Sequence, residues 1–396
     1  MIGRRHFLAG AGASLLAGPV LAKEGTYSHP FANGARPLVT MPGKRPLIGL
    51  TTRPPQLETP FAVFNEGLLT PNDAFFVRSS QPLLPTSLDT QAFRLAVGGH
   101  VERPLQISLA ELKSGFPVTE IVAVNQCSGN SRGFFEPRVS GGQWGNGAMG
   151  NARWTGVPLR ALLDRAGLLA GAREVTFSGL DRPAMTQIPQ VIKALDIDHA
   201  RQDEVLVAYA MNGEDLPFLN GYPLRLVVPG YYGTYWTKHL AEITVLDAAY
   251  DGYWMKTAYR IPDNACACVE PGMRPQTTRP IGTMNVRSFL TSHSNGAQVR
   301  AGLVELRGIA FDGGNGIAQV LVSPDGGNTW LGTRLGEDIG RFSFREWRLG
   351  LELGRGSHSL LVRAVNREGA TQPFTPQWQP SGYMRNVVET VRLEVA

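Results

Sequence analysis

A single cysteine, Cys127, carries the chemistry that is easiest to recognise in this chain. It lies in the run NQCSGNSR at 125–132, and the apolar residues 121–124 predict a buried strand that ends just ahead of the thiol. A deprotonated thiol is a soft ligand for a high-valent metal. The local sequence also leaves open a free cysteine that packs as a small apolar residue. A hydrolase nucleophile would need an activating histidine, and none is evident around this cysteine.

Two arginines close to such motifs could bind an anion. Arg78 ends the run FFVR at 75–78, and Arg132 ends the cysteine run. A guanidinium group is planar, permanently charged and able to donate two parallel hydrogen bonds, so it suits an oxyanion better than an ammonium group does. The alternative for any arginine is an ordinary structural ion pair.

The composition limits the class of protein. The chain has 396 residues, which indicates two or three domains, and 43% of them are hydrophobic, enough for full cores. It contains 46 glycines and 28 prolines against 18% charged residues, which favours a loop-rich protein with many strands. A net charge of +5 without a dense Lys/Arg run argues against a nucleic-acid partner.

Residues 1–22 are typical of a targeting segment. Arg4 and Arg5 form a twin-arginine motif, and a short, glycine-containing apolar stretch follows as far as Ala22. The stretch is too short to span a membrane, although a tethering helix is the alternative, and no later segment could span one. The twin-arginine route exports folded proteins that often carry a cofactor, so we expect a periplasmic protein.

The elements that must position these residues fall into three further segments. Residues 23–70 are rich in Pro and Gly and are predicted to form an extended N-terminal arm. Residues 71–275 mix strands and short helices irregularly, which predicts an α+β domain. A capping box at Ser108–Glu111 begins one helix, residues 158–166 form a second that ends at Gly167, and residues 93–97 and 224–228 are strands.

The last segment, 276–396, has a different texture. Short alternating strands recur at 304–310, 318–322 and 359–365, and the sequence DGG at 325–327 marks a hairpin turn. These features predict an immunoglobulin-like β-sandwich that lacks the cysteine–tryptophan core of antibody domains.

The other two cysteines, Cys266 and Cys268, flank a single alanine. A disulfide between them is expected to be strained. The chain has neither a motif for covalent haem attachment nor a zinc-like Cys/His spacing. His199 and His239 are expected to be structural.

Several motifs in a fixed order resemble the sulfite oxidase family of molybdopterin enzymes. They are FFVR at 75–78, CSGNSR at 127–132, FSGLD at 177–181, NGEDLP at 212–217, GYPLR at 221–225, VPGYYG at 228–233, WMKTAY at 254–259 and SPDGGNTW at 323–330. The resemblance covers residues 70–396 and is strongest to a haem-free bacterial periplasmic sulfite dehydrogenase. It implies a molybdopterin-binding catalytic domain at 71–275 and a dimerisation domain at 276–396.

The resemblance also implies roles for particular residues. Cys127 would be the only protein ligand of the molybdenum, and Arg78, Arg132 and Tyr259 would be the catalytic residues. Glycines Gly230 and Gly233 would let the backbone approach the phosphate of the pterin. The cofactor-binding residues would be Phe76, Val77, Arg78, Ser79, Ser80, Asp181, Asn220, Arg225, Trp236, Thr237 and Lys238.

Two positions depart from the pattern of this family. Ser80 stands where a histidine is usual, and Asn220 replaces a histidine that often precedes the GYP segment. A hydroxyl or an amide keeps a hydrogen bond but loses a possible positive charge. The substrate pocket and its pH dependence are therefore expected to differ from those of relatives.

The resemblance implies an enzyme that oxidises sulfite to sulfate, with one molybdenum–molybdopterin per subunit. The chain has no haem domain, so electrons would pass to a separate acceptor, expected to be a c-type cytochrome, and the subunit is expected to form a homodimer. One alternative is a sulfane dehydrogenase subunit that acts on protein-bound sulfur. The non-enzyme alternative is an exported scaffold or binding protein.

Overall fold

The N-terminal segment forms a small antiparallel sheet. The computed structural model describes residues 23–396, so the twin-arginine motif lies outside the described residues. The first five strands are β1 (Lys23–Ser28), β2 (Ala35–Val39), β3 (Leu47–Thr52), β4 (Pro55–Glu58) and β5 (Val77–Arg78). They pair in sequence order around a core of Val39, Leu47, Leu57 and Val77. The segment predicted as an extended arm is therefore sheet, because its few apolar residues face one another across the strands.

The central domain combines two sheets and short helices. Its elements are β6 (Arg94–Gly99), β7 (Leu105–Ser108), α1 (Leu109–Gly115), β8 (Thr119–Gln126), β9 (Met149–Pro158), α2 (Leu159–Ala166), β10 (Glu174–Gly179), β11 (Ile192–Asp196), α3 (Ile197–Ala200), β12 (Leu206–Met211), β13 (Glu214–Asp215), β14 (Arg225–Val227), β15 (Leu240–Leu246), α4 (Tyr253–Lys256) and β16 (Arg260–Pro262). One sheet has the order β11-β10-β15-β6-β7, and the other has the order β13-β12-β9-β8 with β14 on β12.

Both predicted helices are present with the expected ends. Ser108 accepts the Glu111 backbone N–H, and the Glu111 carboxylate accepts the Ser108 backbone N–H in return, so the capping box that begins α1 is complete. Pro158 precedes α2, and Gly167 ends it with φ +74°. The α+β prediction is confirmed.

The C-terminal domain is the predicted sandwich. Its strands are β17 (Thr278–Pro280), β18 (Arg287–Leu290), β19 (Ala297–Val299), β20 (Gly302–Phe311), β21 (Ile317–Ser323), β22 (Leu331–Gly332), β23 (Arg334–Leu335), β24 (Arg345–Leu353), β25 (Gly356–Asn366) and β26 (Glu389–Val395). A sheet β18-β20-β24-β23 and a sheet β19-β26-β25-β21-β22 enclose a core that includes Val304, Trp347 and Leu360. The DGG turn lies between β21 and β22, as predicted.

Strand β17 belongs to neither sheet of the sandwich and pairs with β16 of the central domain. Between residues 23 and 396, the structure contains no helix that is both long enough and apolar enough to cross a membrane.

Candidate functional site

The cysteine loop, residues 127–132, follows directly from strand β8. Cys127 is the first residue after the strand, and its backbone N–H donates to the Ala148 carbonyl across the sheet at 2.9 Å. Asn130 closes the turn, because its N–H donates to the Cys127 carbonyl at 3.0 Å while its side-chain oxygen accepts the Ala148 N–H at 3.0 Å. Ser131 has a φ of +67° and redirects the chain. The thiol of Cys127 is free, half-buried and held at a fixed place in the fold.

Two cavities meet at Cys127. The inner cavity is lined by Phe75, Phe76, Arg78, Ser80, Asn125, Cys127, Ser128, Asp181, Val191, Asn220, Arg225, Gly233, Thr234, Trp236, Thr237, Lys238 and Tyr259. The outer cavity is lined by Gln56, Arg78, Cys127, Ser128, Arg132, Ser140, Gly141, Gly142, Trp144, Trp254, Ala258, Tyr259, Ser381 and Tyr383. Nine of the predicted cofactor-binding residues thus surround one cavity, and the two remaining ones lie behind its wall.

Those two residues support the wall from behind. Val77 lies in the core of the N-terminal sheet, and Ser79 is buried. The Ser79 hydroxyl accepts a hydrogen bond from Lys238 Nζ at 3.0 Å. Of the two glycines, Gly233 lines the cavity, whereas Gly230 has a φ of +79° and a Cβ there would lie 2.3 Å from the Gly313 carbonyl. Gly230 therefore serves the contact between domains rather than the cavity.

Arg225 is buried in the wall of the inner cavity. Its guanidinium lies 4.8 Å from the Trp154 ring and 5.6 Å from the Trp236 ring, and Nη1 donates to the Asn220 carbonyl at 2.9 Å. Burial lowers its pKa to about 9, and its Nε has no hydrogen-bond partner in the described chain. The aromatic faces stabilise this cation without neutralising it.

Two lysines add positive charge near Arg225. Lys238 Nζ donates to the Ser79 hydroxyl and, at 2.8 Å, to the Leu219 carbonyl. Burial and the neighbouring Arg225 lower the pKa of Lys238 to about 7. Burial and the neighbouring Lys238 do the same to the pKa of Lys44.

Lys44 has no motif around it and was not predicted from the sequence. It lies between β2 and β3, and its Nζ donates to Asn220 Oδ1 and the Asn72 carbonyl at 2.5 Å, and to the Phe75 carbonyl at 3.0 Å. Asn220 Nδ2 in turn donates to the Phe76 carbonyl at 3.0 Å. Lys44 therefore joins three segments, and Asn220 is largely engaged by the chain itself.

The positive charges of these three side chains favour a bound anion. Lys44, Arg225 and Lys238 form no ion pair with a carboxylate within the described range 23–396, although Asp181 on the cavity wall lies near enough to favour the charged form of Lys238. Burial raises the pKa of Asp181 itself. Uncompensated buried cations are costly, so a bound anionic group such as a phosphate ester would stabilise them. The side chains present fit a pterin cofactor that carries a phosphate.

The outer cavity holds the predicted anion-binding arginines. Arg132 is buried, and its Nε donates to the Ser381 carbonyl at 3.0 Å while Nη1 donates to the Gly142 carbonyl at 3.1 Å. Arg78 is half-buried; its Nη1 donates to Ser80 Oγ at 3.2 Å and its Nη2 to Tyr259 Oη at 3.3 Å. Within the described part of the chain neither arginine pairs with a carboxylate, so both charges remain available to an oxyanion.

Tyr259 lies just after α4 in a left-handed conformation, φ +55°. Such a conformation is uncommon for a non-glycine residue and is typical of functional sites. Lys193, a buried lysine that was also not predicted from the sequence, lies 5.5 Å from the Tyr259 ring and donates to the Trp254 carbonyl at 2.7 Å. Burial lowers the pKa of Lys193 to about 7.

The remaining two cysteines and His239 do not line either cavity. The sequence predicts strain in a bridge between Cys266 and Cys268, and the two residues do form a disulfide. Their Cα atoms are 5.1 Å apart, which a single intervening residue allows when it takes the left-handed conformation seen at Ala267, φ +50°. His239 Nδ1 contacts the Tyr222 carbonyl at 2.7 Å, and residues 23–396 contain no cluster of three His, Cys, Asp or Glu that could hold a metal ion.

Known proteins resemble the chain along most of its length. The family model described as oxidoreductase molybdopterin binding domain matches residues 82–254, and that of the Mo-co oxidoreductase dimerisation domain matches residues 278–396. Sulfite oxidase of Gallus gallus is 33% identical over 368 residues, 88% of this chain and 78% of that protein. Mitochondrial sulfite oxidase of Homo sapiens is 32% identical over 93% of this chain and 69% of its own length.

Among solved structures, the sulfane dehydrogenase SoxCD from Paracoccus pantotrophus is similar with a TM-score of 0.74 and 26% identity. The similarity covers 86% of this chain and 85% of that one, so it includes both the central domain and the sandwich.

Proposed function

Because the chain belongs to the sulfite oxidase family of molybdopterin oxidoreductases, we propose that it oxidises sulfite to sulfate and passes the electrons to a separate c-type cytochrome. The observation that carries this proposal is the convergence of Arg78 and Arg132, both without a carboxylate partner in the described chain, on a cavity that also exposes Cys127. The reaction converts sulfite and water to sulfate, two protons and two electrons.

The cofactor fits the inner cavity by the chemistry of its lining. Cys127 would hold the metal as a thiolate, since a soft anionic sulfur suits a high-valent metal. Arg225 and Lys238 would hold the phosphate, and Asp181 would accept hydrogen bonds from the pterin ring. When bound, the molybdenum–pterin group supplies the two-electron oxidation and the transfer of an oxygen atom.

The residues of the chain bind and orient the substrate. Arg78 and Arg132 would hold two oxygens of the sulfite anion with charge-assisted hydrogen bonds. Tyr259 Oη accepts a hydrogen bond from Arg78, so its own proton is free to point at the substrate or at a water molecule. Tyr259 Oη is therefore the atom that would hold or pass on a proton as electrons leave.

Metal analysis combined with a sulfite titration tests this proposal. The purified holoprotein should contain about one molybdenum per chain and should reduce ferricyanide in a sulfite-dependent reaction. Cys127→Ser should fold but lose the metal and the activity. The Cys266→Ser/Cys268→Ser double variant is the matched control and should keep both. Full sulfite turnover in Cys127→Ser would contradict the ligand assignment.

A second candidate is the oxidation of protein-bound sulfane sulfur. It is favoured by the similarity to the sulfane dehydrogenase SoxCD. Holoprotein with a full complement of molybdenum that does not reduce ferricyanide with free sulfite would favour this candidate.

We also propose that the protein is exported to the periplasm and forms a homodimer through its C-terminal domain. The twin-arginine motif at Arg4 and Arg5 supports the first proposal, and the match to a dimerisation domain supports the second. Cell fractionation and sedimentation equilibrium are the corresponding measurements. Recovery only in the cytoplasm, or a monomer at micromolar concentration, would contradict them.

A further inference from the structure

One wall of the outer cavity comes from the far end of the chain. Residues 378–386 lie between β25 and β26 of the C-terminal domain, and they dock on the cysteine loop. The Met384 N–H donates to the Ser128 carbonyl at 2.9 Å, and the Ser381 carbonyl accepts Arg132 Nε at 3.0 Å. This segment places Tyr383 in the cavity wall.

Tyr383 contacts both groups that would meet the anion. Its ring stacks on that of Tyr259 with centroids 5.7 Å apart and planes inclined by 17°. The Arg132 guanidinium lies 5.1 Å from the centre of the Tyr383 ring. Tyr259 in turn accepts a hydrogen bond from Arg78. The two stacked tyrosines therefore connect the two arginines across the cavity.

This arrangement leaves most of the N–H donors of Arg132 available to an oxyanion. A guanidinium has five N–H donors, and Arg132 uses one on Nε and one on Nη1 for backbone carbonyls, so three remain. A carboxylate in the place of Tyr383 would neutralise the arginine and compete with an incoming oxyanion. An aromatic face attracts the cation through its quadrupole and does neither. Burial and the neighbouring Tyr259 raise the pKa of Tyr383, so the ring stays neutral.

We propose that Tyr383 is a positioning residue for anion binding, which holds Arg132 and Tyr259 towards the same oxyanion through the face of its ring. The C-terminal domain thus takes a direct part in substrate affinity. This inference rests on the proposed function only in that the substrate is an oxyanion.

The test compares variants at position 383 by the binding of sulfate and the oxidation of sulfite. Sulfate affinity is measured by calorimetry on holoprotein with wild-type molybdenum content, and KM and kcat are measured with sulfite and ferricyanide. Tyr383→Leu should raise the Kd for sulfate and the KM for sulfite about tenfold, a change of about 1.4 kcal/mol, with a much smaller effect on kcat. Tyr383→Phe keeps the ring and should bind sulfate like the wild type.

If Tyr383→Leu does not fold, a series of fluorinated phenylalanines at position 383 still tests the proposal. Mono-, di- and trifluorinated phenylalanine at position 383 keep the shape of the ring while weakening its quadrupole, so sulfate affinity should fall stepwise. Tyr209→Leu is the control, because it removes a comparable cation–π contact, with Lys113 at 5.1 Å, that lies outside the cavity. Sulfate affinity should not change in that variant.

Two results would overturn the inference: no trend along the fluorinated series, or a loss in Tyr383→Phe as large as in Tyr383→Leu. Since sulfate binding is measured without turnover, a wild-type holoprotein that binds sulfate but does not oxidise sulfite would refute the proposed function alone.

Discussion

Around both cavities, cations lie without a carboxylate partner among residues 23–396. Arg225 is buried in the wall of the inner cavity with Lys44 buried nearby, and Arg132 is buried in the wall of the outer cavity. Taking a charge out of water is costly unless it is paired. The unpaired buried charges therefore destabilise the cofactor-free protein, and a bound anion removes this cost. We expect the free energy of unfolding to increase when the cofactor binds.

The first prediction concerns the pH dependence of stability. The pKa values of Lys44, Lys193 and Lys238 are lowered from 10.5 to about 7 in the folded chain. Between pH 7 and 9.5 the unfolded chain keeps these protons while the folded chain loses them, so stability rises with pH in this range. Thermal unfolding of cofactor-free protein should show a Tm that increases from pH 7 to pH 9.5.

Two comparisons make this prediction specific. Lys44→Met should reduce the pH dependence, because one of the three groups is removed. Loading the cofactor should reduce it too, because a bound phosphate favours the protonated lysines. A Tm of the cofactor-free protein that is constant or falls over this pH range would contradict the assignment of these three pKa values.

At the scale of elements, glycines from three segments of the chain surround the Arg132 side chain. A Cβ at Gly129 would lie 2.6 Å from Arg132 Nη2, and a Cβ at Gly141 would lie 3.0 Å from Nη1. Gly382 belongs to the segment 378–386 of the C-terminal domain, and a Cβ there would lie 3.0 Å from Arg132 Cγ. The absence of side chains at these glycines therefore leaves room for the Arg132 guanidinium where it lies.

The second prediction follows from this packing. Gly129→Ala should displace the end of the Arg132 side chain, which is flexible, so the loss of stability should be small, about 1 kcal/mol or less. The KM for sulfite should increase about tenfold, as expected for the loss of one good charge-assisted hydrogen bond. Steady-state kinetics and thermal unfolding measure the two effects.

Gly67→Ala is the control for this prediction, because a Cβ at Gly67 meets nothing within 4 Å. It should leave KM unchanged. An unchanged KM in Gly129→Ala as well would show that Arg132 does not need this position to bind the substrate.

At the scale of the whole molecule, the C-terminal domain completes the site. Arg287 begins β18 and is fully buried, and its Nη2 donates to Ser131 Oγ at 2.6 Å and to Glu389 at 2.9 Å. Ser131 precedes Arg132 in the cysteine loop. This hydrogen bond joins the sandwich to the cysteine loop, so we expect the contact between the domains to support the position of Arg132, in addition to any role in dimerisation.

The third prediction tests this contact between domains. Arg287→Met should destabilise the protein by about 3 kcal/mol, because it leaves Ser131 and part of Glu389 without their buried partner. Molybdenum content and sulfate affinity should fall with it, since the loop is no longer held. Arg348→Met removes an ion pair of an exposed arginine, with Glu346, and should cost less than about 1 kcal/mol. Equal losses in the two variants would argue against a special role for the interface.

Sequence alone revealed the features that depend on neighbours along the chain. Capping at Ser108, the glycine that ends α2 and the turn at residue 325 are local, and each is present as expected. The order of short motifs likewise indicated the family and brought attention to Arg78, Cys127 and Arg132. Local rules work here because the physical partners lie within a few residues.

Tertiary structure alone decided which distant residues complete the site. Lys44 reaches Asn220 across 176 positions, and Arg132 meets Ser381 across 249 positions. Neither Lys44 nor Tyr383 stands in a recognisable motif, because a cation or an aromatic ring becomes part of a site only when folding buries it beside a partner. The N-terminal sheet was missed for the same reason: its strands are stabilised by pairing and burial between segments, which a short window of sequence does not contain.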